Sequence, residues 1–160
     1  MRGILSSERP LRIATGIIGL LGVGITTYLL VERSRGVAPA CVVGGGCGTV
    51  QKSEWAEVAG IPVALLGLLA YAALIVAALI PGQLGAAGGL FTLLVGVGFS
   101  AWLTYLEIFE IKAICAWCVA SAVLQVIGLG VAFLRIRVVE RASAGSGAHP
   151  PRADPLPGRE

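Results

Sequence analysis

Four stretches of this chain, residues 13–31, 61–80, about 84–106 and 113–134, contain no Asp, Glu, Lys or Arg. Each is close to the ~20 residues that a helix needs to cross the hydrocarbon of a bilayer. A segment in lipid must satisfy its own backbone hydrogen bonds, which a helix does, so all four are expected to be transmembrane helices. The composition agrees: of 160 residues, 56% are hydrophobic and 13% charged, against about 25% charged in soluble domains. A soluble core of this size has nowhere to bury so much apolar surface. The expectation is an all-α integral membrane domain, a bundle of four transmembrane helices, over residues 1–141. Gly16, Gly19, Gly22, Gly67, Gly96, Gly98 and Gly128 fall inside the spans, where small residues let helix backbones approach closely.

Basic residues set the orientation. Eight of the twelve Lys and Arg residues lie before the first span or after the fourth: Arg2, Arg9, Arg12, Arg135, Arg137, Arg141, Arg152 and Arg159. Arg33, Arg35, Lys52 and Lys112 fall on the other side, among Glu32, Glu54, Glu57, Glu107 and Glu110. The excess of basic residues on one side predicts that both termini are cytoplasmic, in a plasma (inner) membrane protein of multi-pass topology. Val37-Ala38-Pro39-Ala40-Cys41 resembles a cleavage site. However, the apolar run before it is too long for a typical signal, and Glu32, Arg33 and Arg35 intervene, so the first span is expected to stay. Residues 142–160 are rich in Gly, Ser, Ala, Pro and Arg and are expected to form a disordered cytoplasmic tail. His149, the one histidine, lies in that tail and is expected to be incidental. The net charge of +3 comes without a basic patch interleaved with aromatics, so nucleic acid is not an expected partner.

The chemistry is in the cysteines. With this topology Cys41 and Cys47 lie in a long external loop, residues 32–60, while Cys115 and Cys118 follow a short external connector at residues 107–112. All four therefore fall on the side that in bacteria is oxidising. Cys115-Ala116-Trp117-Cys118 is a CxxC at a helix start. Residues three apart on a helix have Cβ atoms about 5–6 Å apart, wider than the ~3.8 Å of a relaxed disulfide. A bridge there bends the first turn and is easily reduced, and the helix N-terminus favours a thiolate. Between Cys41 and Cys47 lie Gly44, Gly45 and Gly46, a permissive backbone on which a disulfide can form and then meet another thiol. Two pairs of this kind make an electron relay. No metal is expected: five residues between the first two cysteines are many for a zinc knuckle, and the second pair lies in an apolar helix.

Cys41-x5-Cys47, Ser53, the run Gly60-Ile61-Pro62-Val63-Ala64-Leu65-Leu66-Gly67 and Cys115-Ala116-Trp117-Cys118 occur in that order. In this set the chain resembles the bacterial homologues of vitamin K epoxide reductase, up to about Arg141. The resemblance implies a four-helix bundle around a quinone of the ubiquinone or menaquinone type, with an external loop containing a short half-helix. It implies that the CxxC passes electrons to the quinone, with Cys118 nearest the ring. Cys115 would exchange with a loop cysteine, and the loop pair would take electrons from a thioredoxin-fold thiol protein. Which of Cys41 and Cys47 meets Cys115 stays open. Ser53 would order the half-helix or the quinone site, and Trp117, with Trp55, Trp102 and Tyr105, is a candidate to line the pocket.

Two departures from the family's pattern bear on function. Many bacterial members carry a fused thioredoxin-like domain after a fifth helix; here a polar tail follows the fourth span, so the partner is expected to be a separate protein. The animal enzymes carry a tyrosine one turn past the CxxC, where this chain reads Val119-Ala120-Ser121-Ala122, which favours a plain quinone over an epoxide. The expected activity is thiol:quinone oxidoreduction supporting disulfide formation, in contact with membrane lipid. The alternative is a non-enzymatic membrane protein with structural external disulfides. Glu107 and Glu110 are expected to be solvated carboxylates at the interface, and Trp55 to plant the segment 51–58 on the membrane surface.

Overall fold

The computed structural model describes residues 2–41 and 45–146. Five α-helices appear in order: α1 (Arg2–Ser34), α2 (Cys47–Lys52), α3 (Val63–Leu79), α4 (Gly82–Leu106) and α5 (Ala116–Ser146). The four long ones form a closed ring in which α1 and α4 stand at opposite corners and each packs on both α3 and α5. Three of them are long and apolar enough to cross a membrane, and Val63–Leu79 is a shorter apolar helix. The four-span, all-helical expectation therefore holds, with a small addition. Glu57–Val58 and Ile61–Pro62 pair as an antiparallel hairpin, β1 and β2. Its turn residues Ala59 and Gly60 both take positive φ, 52° and 79°, the twist that a two-residue hairpin requires.

Helix boundaries differ from those read in the sequence, and the reasons are local. The first helix begins well before residue 13 and runs through Pro10; Glu8 and Arg12 find partners on α3, α4 and α5, which holds the leader helical despite the N–H that proline lacks. The second span begins at Val63 because the hairpin consumes Ile61 and Pro62. The last helix starts at Ala116 and runs past Ala142, where the tail was expected to begin, to Ser146. The rest of the expected tail, residues 147–160 with His149, lies outside the described residues.

The core is built from Ile18, Tyr71, Leu74, Leu93 and Ala132, with Leu20, Leu84, Phe91 and Ile127 facing outward. Gly22 permits the closest approach in it: a Cβ there would come within 2.2 Å of the Tyr71 ring. Gly98, by contrast, has nothing within 4 Å. It stands on an open face, and its expected part in helix approach is not found.

At the end of the bundle that carries both termini, Arg135 of α5 and Glu8 of α1 are wholly buried, at 1% and 0% exposure. Arg135 Nη2 donates to Glu8 Oε1 at 2.8 Å and to the Ile80 carbonyl at 2.6 Å, while Nη1 donates to the carbonyls of Ala77 and Gly85. The Gly82 N–H at the start of α4 donates to both Glu8 oxygens. One guanidinium thus ties α1, α3 and α4 to α5. It also satisfies carbonyls that the end of α3 would otherwise leave unpaired. Gly85 is indispensable here, since a Cβ on it would lie 2.0 Å from the Ile80 carbonyl oxygen and 2.8 Å from Arg135 Nη2. Arg12 adds a lesser clasp, donating to the carbonyls of Ala78 and Leu79.

Candidate functional site

At the opposite end, the loop between α1 and α3 folds back over the bundle mouth. Arg33, in the last turn of α1, donates to the Gln51 carbonyl and pairs with Glu57. Ser53 closes α2, its Oγ donating to the Val50 carbonyl at 2.7 Å, so it orders the short loop helix. Trp117 is half-buried beside the mouth, tilted against Tyr28 at a centroid distance of 5.0 Å. Its indole N–H donates to the Ala40 carbonyl, and the Ala40 N–H donates to the Tyr28 hydroxyl. Trp117 borders the cavity described below, but its polar edge is spent on the loop. Trp55 packs edge-on against Trp102, which seats the loop on α4.

Cys41 and Cys47 are joined in a disulfide, whereas Cys115 and Cys118 are free. Cys41 is half-buried. Cys47 is fully buried, packed with Val50 and Cys115 in one cluster. Gly46 allows this docking, because a Cβ there would lie 2.6 Å from the Ile114 carbonyl oxygen. This glycine of the permissive run thus serves close contact with the segment before the CxxC. Cys115 stands at the N-cap of α5, its carbonyl accepting the Val119 N–H and its sulfur accepting the Cys118 N–H. The Cys118 thiol, hydrogen-bonding to that sulfur, holds Cys115 below the ordinary thiol range, against the opposing pull of burial and of Glu107.

Glu107 corrects an expectation. It is 3% exposed, while Glu110 lies on the exposed face of the same turn. The reason is a π-helical turn, Glu107–Ile111, that ends α4 and stops at Lys112 in the left-handed region. The turn wraps the chain so that Ala113 N–H donates to the Glu107 carbonyl and Cys115 N–H donates to its carboxylate at 3.1 Å. The carboxylate and the sulfurs of Cys115 and Cys118 all lie within 4.8 Å of one another. These three could surround a small soft cation, but a four-cysteine set is not on offer while Cys41 and Cys47 are bridged.

Below Cys118 the bundle encloses a cavity of about 420 Å³, walled mainly by apolar side chains of all four long helices. Cys118, Glu107, Ser53 and Trp117 border its upper end, and Ser100, Ser121 and Gln125 its lower part. Phe91 and Val95, both outward-facing on α4, border it as well, so it reaches the lipid-facing surface. An apolar space of this size with a few convergent polar groups suits a flat organic ring with an apolar tail.

A membrane bundle with one dithiol at the mouth of an apolar cavity, and a disulfide packed against it, is a scaffold for thiol–disulfide exchange coupled to a lipid-soluble molecule. The model of the vitamin K epoxide reductase family matches residues 13–133. The chain belongs to that family, and is in general terms a membrane oxidoreductase of thiols, disulfides and quinones. Sequence reasoning placed Cys41, Cys47, Ser53, Cys115, Trp117 and Cys118, and the structure brings all six to one end of the bundle. It missed Glu107 as a buried partner and did not single out Gln125. The signal for Gln125 was there, as one amide in an otherwise apolar span on the same helix face as Cys118.

Proposed function

We propose that the protein takes electrons from a separate, extracytoplasmic thioredoxin-fold dithiol and delivers them to a quinone of the ubiquinone or menaquinone type, keeping a disulfide-forming system oxidised. The observation that carries this reading is the free Cys115–Cys118 pair at the head of the cavity, with Cys47 packed on Cys115. In this proposal both termini are cytoplasmic and the cysteine end is external.

The arrangement corresponds to the state about to reduce quinone. Cys118 delivers two electrons to the ring as Cys115 closes on it, giving the Cys115–Cys118 disulfide and quinol; the two thiol protons end on the quinol oxygens. Glu107, within reach of both sulfurs, accepts and passes on a proton. The partner's thiolate then attacks Cys41, the more exposed sulfur of the loop pair, and Cys47 leaves. As the partner closes its own disulfide, Cys47 attacks Cys115 and frees Cys118. Cys41 next attacks Cys47, which restores the loop bridge and releases Cys115, whose stabilised thiolate makes it a good leaving group. Partner dithiol and quinone go in; partner disulfide and quinol come out. The rival reading, static disulfides alone, leaves unexplained why Cys115 and Cys118 stand unbridged beside a cavity.

The test is optical quinone reduction by purified protein with a reduced dithiol donor, comparing the native chain with Cys118→Ser. Turnover in the native protein and background rates in the variant support the relay. Absence of turnover with benzoquinones and naphthoquinones alike, with the loop disulfide resisting mild reductant, sinks it.

A further inference from the structure

Gln125 is the most informative side chain that the relay does not use. It lies in the apolar middle of α5, is 8% exposed and borders the cavity. Ser100 of α4 donates its hydroxyl to Gln125 Oε1 at 2.9 Å. The amide nitrogen makes no hydrogen bond among the described residues, yet it is not sealed inside protein either. Its two N–H donors therefore open into the cavity. In a hydrocarbon setting an unpaired amide donor costs several kcal/mol, unless the cavity's occupant accepts from it. Gly96 makes room for this arrangement, since a Cβ there would stand 3.0 Å from Gln125 Oε1.

The spacing identifies the occupant's shape. Gln125 lies two turns below Cys118 on the same face of α5, and Ser100 lies two turns below Glu107 on α4. Two polar rungs therefore cross the cavity, Glu107 with Cys118 above and Ser100 with Gln125 below, about 10 Å apart along the helix axes. Helical side chains lean toward the N-terminus of their own helix, so Gln125 reaches up toward Cys118. The remaining gap suits a six-membered ring with an oxygen at each end.

Resting on the reading of this cavity as the quinone site, we propose that Gln125 Nε2, oriented by Ser100, donates to the ring carbonyl remote from Cys118. The lower rung thereby selects a para-quinone that presents two opposed carbonyls. It holds the ring at the depth where the near carbonyl meets Cys118 and Glu107. Gln125 contacts substrate; Ser100 is a positioning residue that fixes which way the amide faces.

The experiment is steady-state kinetics with ubiquinone-1 and with menadione, varying quinone at saturating dithiol donor and donor at saturating quinone, on native protein, Gln125→Met and Ser100→Ala. Methionine keeps the unbranched shape and removes both donors. Each variant is first shown to have its Cys41–Cys47 bridge reduced by the donor at the native rate. Gln125→Met is expected to raise the quinone KM about tenfold, the loss of one good hydrogen bond, and leave the donor KM unchanged. Ser100→Ala is expected to raise the quinone KM less, and to add nothing when combined with Gln125→Met. An unchanged quinone KM in Gln125→Met, with the native protein turning over, overturns the carbonyl contact. No turnover in the native protein would instead remove the quinone reading on which it rests.

Discussion

The two ends of this bundle solve opposite problems with similar materials. At the terminal end, a buried cation meets every acceptor around it: Arg135 donates to Glu8 and to three carbonyls, and Glu8 also takes the Gly82 N–H. At the cysteine end, a buried carboxylate meets one backbone N–H and otherwise faces two sulfurs whose bonding changes with redox state. Charge at the first end is fully paired, which makes the helices stay. Charge at the second is left with unfinished business, which makes chemistry possible. A membrane enzyme of this size needs both, because the helices around the cavity can stand apart only if something elsewhere holds them together.

The largest effect expected from breaking this contrast is at the locked end. Arg135→Met leaves Glu8 buried without its cation and three carbonyls without a donor. Loss of one partner from a buried pair costs about 3–5 kcal/mol. Unfolding in detergent should report a loss of that order, and Glu8→Gln together with Arg135→Met should recover part of it. Recovery of nothing would mean that the carbonyls and not the ion pair carry the lock. At the reactive end, Glu107→Gln should leave unfolding nearly unchanged while slowing quinone reduction about 100-fold, the scale of a lost proton acceptor. If that variant turns over at the native rate, Glu107 only positions the Cys115 backbone. The smallest effect concerns the loop. Trp117→Phe removes the hydrogen bond to Ala40, worth about 1 kcal/mol. Hydrogen exchange should quicken at residues 38–41 with little change in the core, and equal exchange rates would show that Tyr28 alone holds that strand of the loop.

The sequence spoke clearly where one segment suffices to decide. Four uncharged runs announced the bundle, and the ordered cysteines announced the site, because span length and cysteine side are properties of single stretches. It was silent where the answer depends on a second helix. Arg135 read as an ordinary flanking charge and Glu8 was not singled out, since nothing near either of them names its partner. Glu107 read as solvated because a helical register carried past residue 106 puts it at an interface, and only the π-helical turn folds it inward. Gly46 read as a source of freedom, yet it serves close packing against Ile114. Gln125 passed unnoticed because a lone amide acquires meaning only once Ser100 and a cavity stand beside it.

The Arg135 contact also bears on how the chain is made. Glu8 and Arg135 are separated by 127 positions, and a ribosome delivers the first long before the second. Until α5 arrives, Glu8 waits without its guanidinium, and the Ala77 and Ile80 carbonyls at the end of α3 wait without the donor that Arg135 brings. A nascent chain that stalls after the third span therefore carries an acidic group whose cation has not yet been made. The fourth span carries the one residue that completes Glu8 and the end of α3 together.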